Sequence, residues 1–352
     1  MKTEASPTPS QLGFRMPAEW ERHAGTWFSW PRPNGISFPE RYEAVPPVYA
    51  QLIKHLVEDE EVYINVWDAD MEADVRARLA RHGTPLDRVH FFHFPAYEPW
   101  CRDHGPIFVV RDDPGHHERA IVDWKYNAWG DKYPPYDLDD AVPQHIAKLR
   151  GLRLFSPDMI LEGGSIDVNG RGTLLTTEAC LLHPNRNPQL SRSEIGHYLR
   201  QYLGVTKIIW LGEGIVGDDT DGHIDDLARF CDPTTIATVV EENVEDANFQ
   251  VLRENLHRLR MERDQDDRLF RIINLPMPGL VEYQGQRLPA SYANFYIGNG
   301  KVLVPTFRHK NDPVALEALQ SAFPTRQVVG VDSTDLIWGL GSFHCISQQE
   351  PI

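Results

Sequence analysis

One feature limits the fold of this 352-residue chain most: β-rich runs and helical periodicity alternate along its whole length. Apolar residues at helical spacing predict helices over Pro46–Glu58, Met71–Arg81, Asp140–Leu149, Ser191–Leu203, Phe249–Arg263 and Asp312–Phe323. Two of these carry start signals. Ser191 with Glu194 forms a capping box, and Asp312 before Pro313 reads as an N-cap followed by a first-turn proline. Between the helices lie β-rich runs at 62–67, 89–94, 107–110, 207–211, 235–240, 294–307 and 327–331, with Asn299-Gly300 as a two-residue hairpin signal. The later helices recur roughly every 50 to 60 residues, a period suited to a radial or propeller-like array of units with two or three strands and one helix each. No Gly- or Ser-rich linker interrupts the pattern, so one α/β domain is expected.

Composition excludes several classes. Hydrophobic residues make up 41% and charged residues 24%, as in globular proteins, which excludes disordered and fibrous chains. No apolar run reaches the 18 or so residues of a membrane span, and the N-terminal MKTEASPTPSQLGF lacks the apolar core of a signal peptide. A cytoplasmic location away from membranes is therefore expected. The 51 Asp and Glu against 35 Lys and Arg give a net charge of −16, which repels phosphate backbones and argues against nucleic acid. A small cation is the partner such a surface attracts.

Four polar clusters punctuate the chain. Trp100-Cys101-Arg102-Asp103-His104-Gly105-Pro106 precedes the run at 107–110, with Asp103 fenced by Gly-Pro. Leu161-Glu162-Gly163-Gly164 ends an apolar run, where two glycines let the backbone approach closely while a carboxylate points inward, or merely make a bend. Within Gly217–Asp226, His223 and Asp225 would share one face if the segment were a strand, pairing an imidazole with a carboxylate for acid–base work. Five Asp in ten residues also suggest a hard cation, but the spacing and glycine of an EF-hand loop are missing, and no metal is expected. Finally, Gly339–Gln349 sets two glycines ahead of a His344-Cys345 pair.

The four cysteines, Cys101, Cys180, Cys231 and Cys345, form no C-x-x-C pair and are expected to be reduced. Cys180, in the apolar run Ala179–Leu182, reads as a core filler, whereas the setting of Cys345 suits a nucleophile. A Cys–His protease needs only one orienting Asn or Asp. Several carboxylates beside a cysteine instead suit a guanidinium, whose five donors form a planar fork that carboxylates grip in pairs.

Five stretches carry a resemblance: MPAEWERHAGTWFSWP at 16–31, WCRDHGP at 100–106, LEGGSIDVNGRGTLLTTEACLLHPNRNP at 161–188, GDDTDGHIDD at 217–226, and SYANFYIGNGKVLVP followed by GLGSFHCISQQEP. Their order and spacing resemble the agmatine deiminase family, grouped with bacterial peptidylarginine deiminase-like proteins among guanidino-modifying enzymes. The resemblance covers residues 14–352 as one catalytic domain and leaves 1–13 as a flexible N-terminus. It implies the five-bladed α/β propeller, or pentein, fold.

By motif, the resemblance makes Cys345 the nucleophile and His223 the general acid–base. Asp103 and Asp225 would bind the guanidinium, Glu162 would position His223 and share the cationic site, Trp100 would wall the pocket, and Asp219 would meet the distal end of the substrate. It implies hydrolysis of agmatine to N-carbamoylputrescine and ammonia through a covalent S-alkylthiouronium on Cys345. Water would be the co-substrate, with no metal or organic cofactor. A protein-arginine deiminase would use the same residues in a more open cleft. A metal-dependent hydrolase would be stopped by chelators, and a cation-binding protein without catalysis would be indifferent to loss of the Cys345 thiol. Association of the chain with copies of itself is left open. Two departures from the family pattern stand out. Gly339-Leu340-Gly341-Ser342-Phe343 replaces a run of three glycines then Asn-Ile before the His-Cys pair, and Asp226 stands where many members have Asn.

Overall fold

The computed structural model describes residues 6–113 and 116–352. Among them, five of the six sheets are built on one plan. An antiparallel pair is followed by a crossover helix, which returns the chain to a third strand parallel to the second. Ile107–Asp113 pairs antiparallel with His116–Val122, and the helix Val142–Arg150 leads to the parallel strand Arg153–Phe155. Asp167–Val168 and Thr173–Thr177 are followed by the helix Arg192–Leu203 and the strand Lys207–Leu211. Ala228–Asp232 and Thr235–Val240 are followed by Phe249–Met261 and Arg271–Pro276. Tyr296–Ile297 and Lys301–Thr306 are followed by Asp312–Ala322 and Gln327–Asp332.

The fifth module is assembled from both ends of the chain. The C-terminal strand Ser347–Pro351 pairs antiparallel with His23–Ser29, and the helix Pro46–Leu56 leads to the parallel strand Glu61–Asn65. A second crossover, the helix Ala69–Arg81, adds Val89–Phe92 and makes this the four-stranded sheet. A small hairpin, Glu282–Tyr283 with Gln286–Arg287, completes the set.

Local chemistry explains most boundaries. The middle strand Thr173–Thr177 is buried throughout, as expected of strands covered on both faces. Ser191 caps Arg192–Leu203 through the full capping box with Glu194, and Gly204 ends it in the left-handed conformation at φ 67°. The Asp68 carboxylate accepts from the Met71 N–H and starts Ala69–Arg81 two residues before the apolar pattern does. Asn299-Gly300 forms the expected hairpin turn, closed by the Gly298 N–H on the Lys301 carbonyl at 2.8 Å. Asp312, however, is not the cap. The residue flanking that helix is Asn311, and the Asp312 carboxylate turns back to accept from the N–H groups of Phe307 and His309 and from the Tyr292 hydroxyl.

Of the N-terminus expected to be flexible, residues 1–5 lie outside the described residues. Ser10–Leu12 form a 3-10 turn, and the Thr8 hydroxyl donates to Gln201 on the helix Arg192–Leu203. No helix among the described residues is long and apolar enough to cross a membrane.

Candidate active site

Each module delivers polar side chains from the short turn just ahead of its first strand. Cys101–His104, a single helical turn, carries Asp103 ahead of Ile107–Asp113. Glu162 flanks the 3-10 turn Gly163–Ser165 ahead of Asp167–Val168. His223 flanks the 3-10 turn Ile224–Asp226 ahead of Ala228–Asp232. Asn294 lies two residues before Tyr296–Ile297, and Cys345 two before Ser347–Pro351. His223 and Asp225 therefore do not sit on a strand, as their spacing suggested. A turn brings both into the same buried place.

The sulfur of Cys345 lies among carboxylates. Asp225 Oδ2 is 3.6 Å away and Asn294 Nδ2 donates to the sulfur at 3.0 Å. Burial, then the charges of Asp225, Asp226 and Asp103, push the Cys345 thiol well above its ordinary range. His344 separates two carboxylates: its Nδ1 is 2.8 Å from Asp225 Oδ2 and its Nε2 is 2.9 Å from Glu19 Oε2. Glu19 in turn meets Arg102 at 3.2 Å and Arg229 at 3.0 Å. Burial opposes the charge on Asp225, but the His344 hydrogen bond and nearby cations hold its carboxyl below the usual range. Asp226 goes the other way. Burial and the adjacent Asp225 and Asp218 raise it well above that range, which favours the neutral acid.

On the other side of the site, Asp103 accepts from the Trp129 indole and the Gly164 N–H, each at 3.0 Å. Its second neighbour is His223, whose Nδ1 is 3.7 Å from Asp103 Oδ1. Burial, outweighing His223 and reinforced by Asp225 and Glu162, lifts the Asp103 carboxyl to about 6. Burial opposes charging of His223 too, but Asp103, Cys180 and Asp225 overcome it and raise the imidazole well above its ordinary value. Neither ring nitrogen of His223 and neither Glu162 Oε2 nor Asp225 Oδ1 makes a hydrogen bond to the described residues, so these buried polar atoms keep capacity for a ligand. Gly164 makes this approach feasible: a Cβ there would lie 2.5 Å from His223 Nδ1 and 2.7 Å from Asp103 Oδ1. Arg186, buried, fixes Glu162 Oε1 at 2.7 Å and Asp221 Oδ2 at 2.5 Å.

Cys180 is not remote from the chemistry as its apolar setting suggested. Ligand atoms of Glu162, Cys180 and His223 lie within 4.8 Å of one another, a sulfur, nitrogen and oxygen donor set of the type that suits a borderline cation such as Zn²⁺. Burial raises the Cys180 thiol, with His223 opposing.

A cavity of about 200 Å³ opens onto Cys345. Trp100, Trp129, Tyr133 and Trp338 supply aromatic walls, and Asp103, Glu98 and Asp219 supply carboxylates. Trp100 donates to the Ser37 hydroxyl at 2.9 Å and packs so closely that a Cβ on Gly341 would lie 2.4 Å from its ring. Asp219 stands apart from the buried cluster, hydrogen-bonded by the Tyr133 hydroxyl and 3.4 Å from Lys132 Nζ. No Lys, Arg or His is among the described residues that line the cavity.

All seven residues singled out in the sequence thus belong to one site. Cys345, Asp103, Trp100 and Asp219 line the cavity, and three residues are buried next to that lining: His223 beside Asp103, Asp225 beside Cys345, and Glu162 near His223. Asn294, Glu19, Trp129 and Arg186 were not picked out. Their signal was present in part: Glu19 and Asn294 fall inside motif stretches that carried no assigned residue, and Arg186 falls in the stretch that carried Glu162.

The family model for Porphyromonas-type peptidyl-arginine deiminases matches residues 15–351. A Legionella pneumophila (strain Paris) protein provisionally assigned as an agmatine deiminase is 35% identical over 344 residues, covering 97% of each chain. Among solved structures, an agmatine deiminase of Enterococcus faecalis catalysing its reaction aligns with TM-score 0.91 and 34% identity, over 100% of this chain and 99% of that one. A Cys-to-Ser variant of a C. jejuni agmatine deiminase with substrate bound aligns with TM-score 0.86 and 32% identity, over 96% of each chain.

Proposed function

Since the chain belongs to the Porphyromonas-type peptidyl-arginine deiminase family, we propose that it hydrolyses agmatine to N-carbamoylputrescine and ammonia. One observation carries this reading: a buried cysteine lines a cavity where carboxylates converge and which no basic side chain among the described residues lines. A dication gains at both ends of such a cavity, whereas the α-carboxylate of free arginine would meet the carboxylates of Glu98 and Asp219, the latter already paired with Lys132.

In this mechanism Asp103 and Asp225 clamp the guanidinium and hold its planar carbon against the sulfur. The incoming cation offsets the carboxylates that keep the resting thiol protonated, so the thiol proton passes to solvent as substrate binds and is taken back by the sulfur after product leaves. The thiolate adds to the guanidinium carbon. His223, kept protonated by Asp103, gives its proton to the departing nitrogen, the C–N bond breaks, and ammonia leaves behind an S-alkylthiouronium cation. Neutral His223 then takes a proton from water as its oxygen adds to the same carbon. The C–S bond breaks to free the thiolate and the ureido product, and the remaining proton leaves on ammonia as ammonium. Glu162, oriented by Arg186, lies close to His223 and favours its cationic form. Trp100 walls the cavity, and Asp219 receives the distal ammonium.

We also read the five modules as a radial, five-bladed α/β propeller forming a single domain over 14–352. Five repeats of one strand plan support that arrangement, as does the joining of both chain ends in one sheet.

The test is ammonia release from agmatine, free arginine and an arginine-containing peptide in parallel, each with EDTA. Turnover of agmatine alone is expected. Preference for the peptide would move the same chemistry to protein citrullination, and no release from any of the three would end the deiminase reading.

A further inference from the structure

The stretch SYANFYIGNGKVLVP takes no part in the mechanism above, yet its Asn294 touches the reacting sulfur. Asn294 is fully buried and all of its amide capacity is used. Oδ1 accepts from the N–H of His344 at 3.0 Å and of Cys345 at 3.4 Å. Nδ2 donates to Asp226 Oδ1 and to Cys345 Sγ, each at 3.0 Å. The two backbone donors settle which way the amide faces. If it were flipped, N–H would meet N–H twice and a carbonyl oxygen would point at the sulfur. The N–H that reaches the sulfur is therefore built in. Asp226, the residue that replaces a common Asn, accepts the other amide hydrogen and holds the same orientation from the far side.

We propose that Asn294 is a further catalytic residue, whose side-chain N–H stabilises the Cys345 thiolate each time sulfur carries negative charge, before attack and after the thiouronium collapses. A backbone hydrogen bond from Ser342 favours that charge, but three carboxylates work against it: Asp225 and Asp226 from the turn Ile224–Asp226, and Asp103 from the turn Cys101–His104. His344 lies behind Asp225, and His223 lies beside Asp103. A neutral donor in this ring stabilises the anion without repelling the guanidinium, which a lysine or arginine at the same place would do. The position follows the repeat, because Asn294 occupies in its module the turn that supplies Asp103, Glu162, His223 and Cys345 in the other four.

The inference rests on Cys345 being the nucleophile but not on the identity of the substrate. The test is the pH profile of iodoacetamide alkylation without substrate, with Cys345→Ser marking the share of the signal due to Cys345. In Asn294→Ala and Asn294→Asp, the alkylation midpoint of Cys345 should rise by about one to two pH units. kcat should fall by about 10- to 100-fold, the effect of losing a hydrogen bond to a charged group, with KM nearly unchanged. If the alanine variant does not fold, the isosteric aspartate variant carries the test, because it keeps the acceptor for both backbone N–H groups. A folded Asn294→Asp whose alkylation midpoint equals that of the parent would overturn the proposal, whatever its activity. A shifted midpoint in a protein silent toward agmatine would leave the proposal standing and end the substrate reading instead.

Discussion

His223 Nδ1 and Asp103 Oδ1 lie 3.7 Å apart as an ion pair, and neither ring nitrogen of His223 makes a hydrogen bond to the described residues. The pair splits its titrations. Burial brings the Asp103 carboxyl up to about 6, while Asp103 helps to keep His223 protonated well above that pH. As pH falls through about 6, Asp103 gains a proton and loses the charge that grips the guanidinium. kcat/KM should therefore decline toward acid below about pH 6, close to tenfold per pH unit, and the residual activity of Asp103→Asn should lack that limb. A kcat/KM flat to pH 5 would refute the assignment.

Removing the sulfur should stop chemistry without emptying the cavity. Cys345→Ala should show no ammonia release while calorimetry still detects agmatine binding, since the clamping carboxylates remain. Measurable turnover in this variant would withdraw the nucleophile.

The two clamping carboxylates can be weighed against each other. Asp103→Asn and Asp225→Asn should each lower kcat/KM by about 2 kcal/mol or more, the effect of losing a charged contact to a buried cation. Asp225 also holds His344 at 2.8 Å, so its variant should lose thermal stability where Asp103→Asn loses little. Steady-state kinetics alongside thermal unfolding separates the two, and equal unfolding temperatures would contradict the structural part of the Asp225 role.

Gly164 offers a test by shape alone. The added methyl of Gly164→Ala would collide with His223, with Asp103, and at 3.1 Å with Asp225. Displacing these groups by an ångström should lower kcat by about 100-fold. Gly151→Ala, where no atom lies within 4 Å of the added carbon, serves as the control for activity, though its φ of 64° carries some backbone strain. Activity near the parent level in Gly164→Ala would mean that this wall of the site can move aside.

Much of the site was legible because its residues come in short polar clusters that interrupt otherwise apolar, periodic sequence. Asp103, Glu162, His223, Asp225 and Cys345 each stand in such a cluster, and each lies in the turn ahead of a module's first strand. Cys180 misled for a physical reason. Its neighbours along the chain are apolar, and its approach to His223 is made from one module to the next, where sequence proximity carries no information. The expectation of an N-cap at Asp312 failed in a similar way, because three donors from Phe307, His309 and Tyr292 claimed the carboxylate.

The sequence by itself determined the alternation of strand and helix, the recurring module length, the family and the residue types of the chemistry, since all of these are carried by local pattern. Tertiary structure decided which carboxylates converge on the sulfur, that the two chain ends share one sheet, and that an asparagine amide faces Cys345. Those relations depend on distances between segments far apart in the chain, where His344 and nearby cations hold one buried aspartate in its charged form while burial and its acidic neighbours turn the next toward the neutral acid.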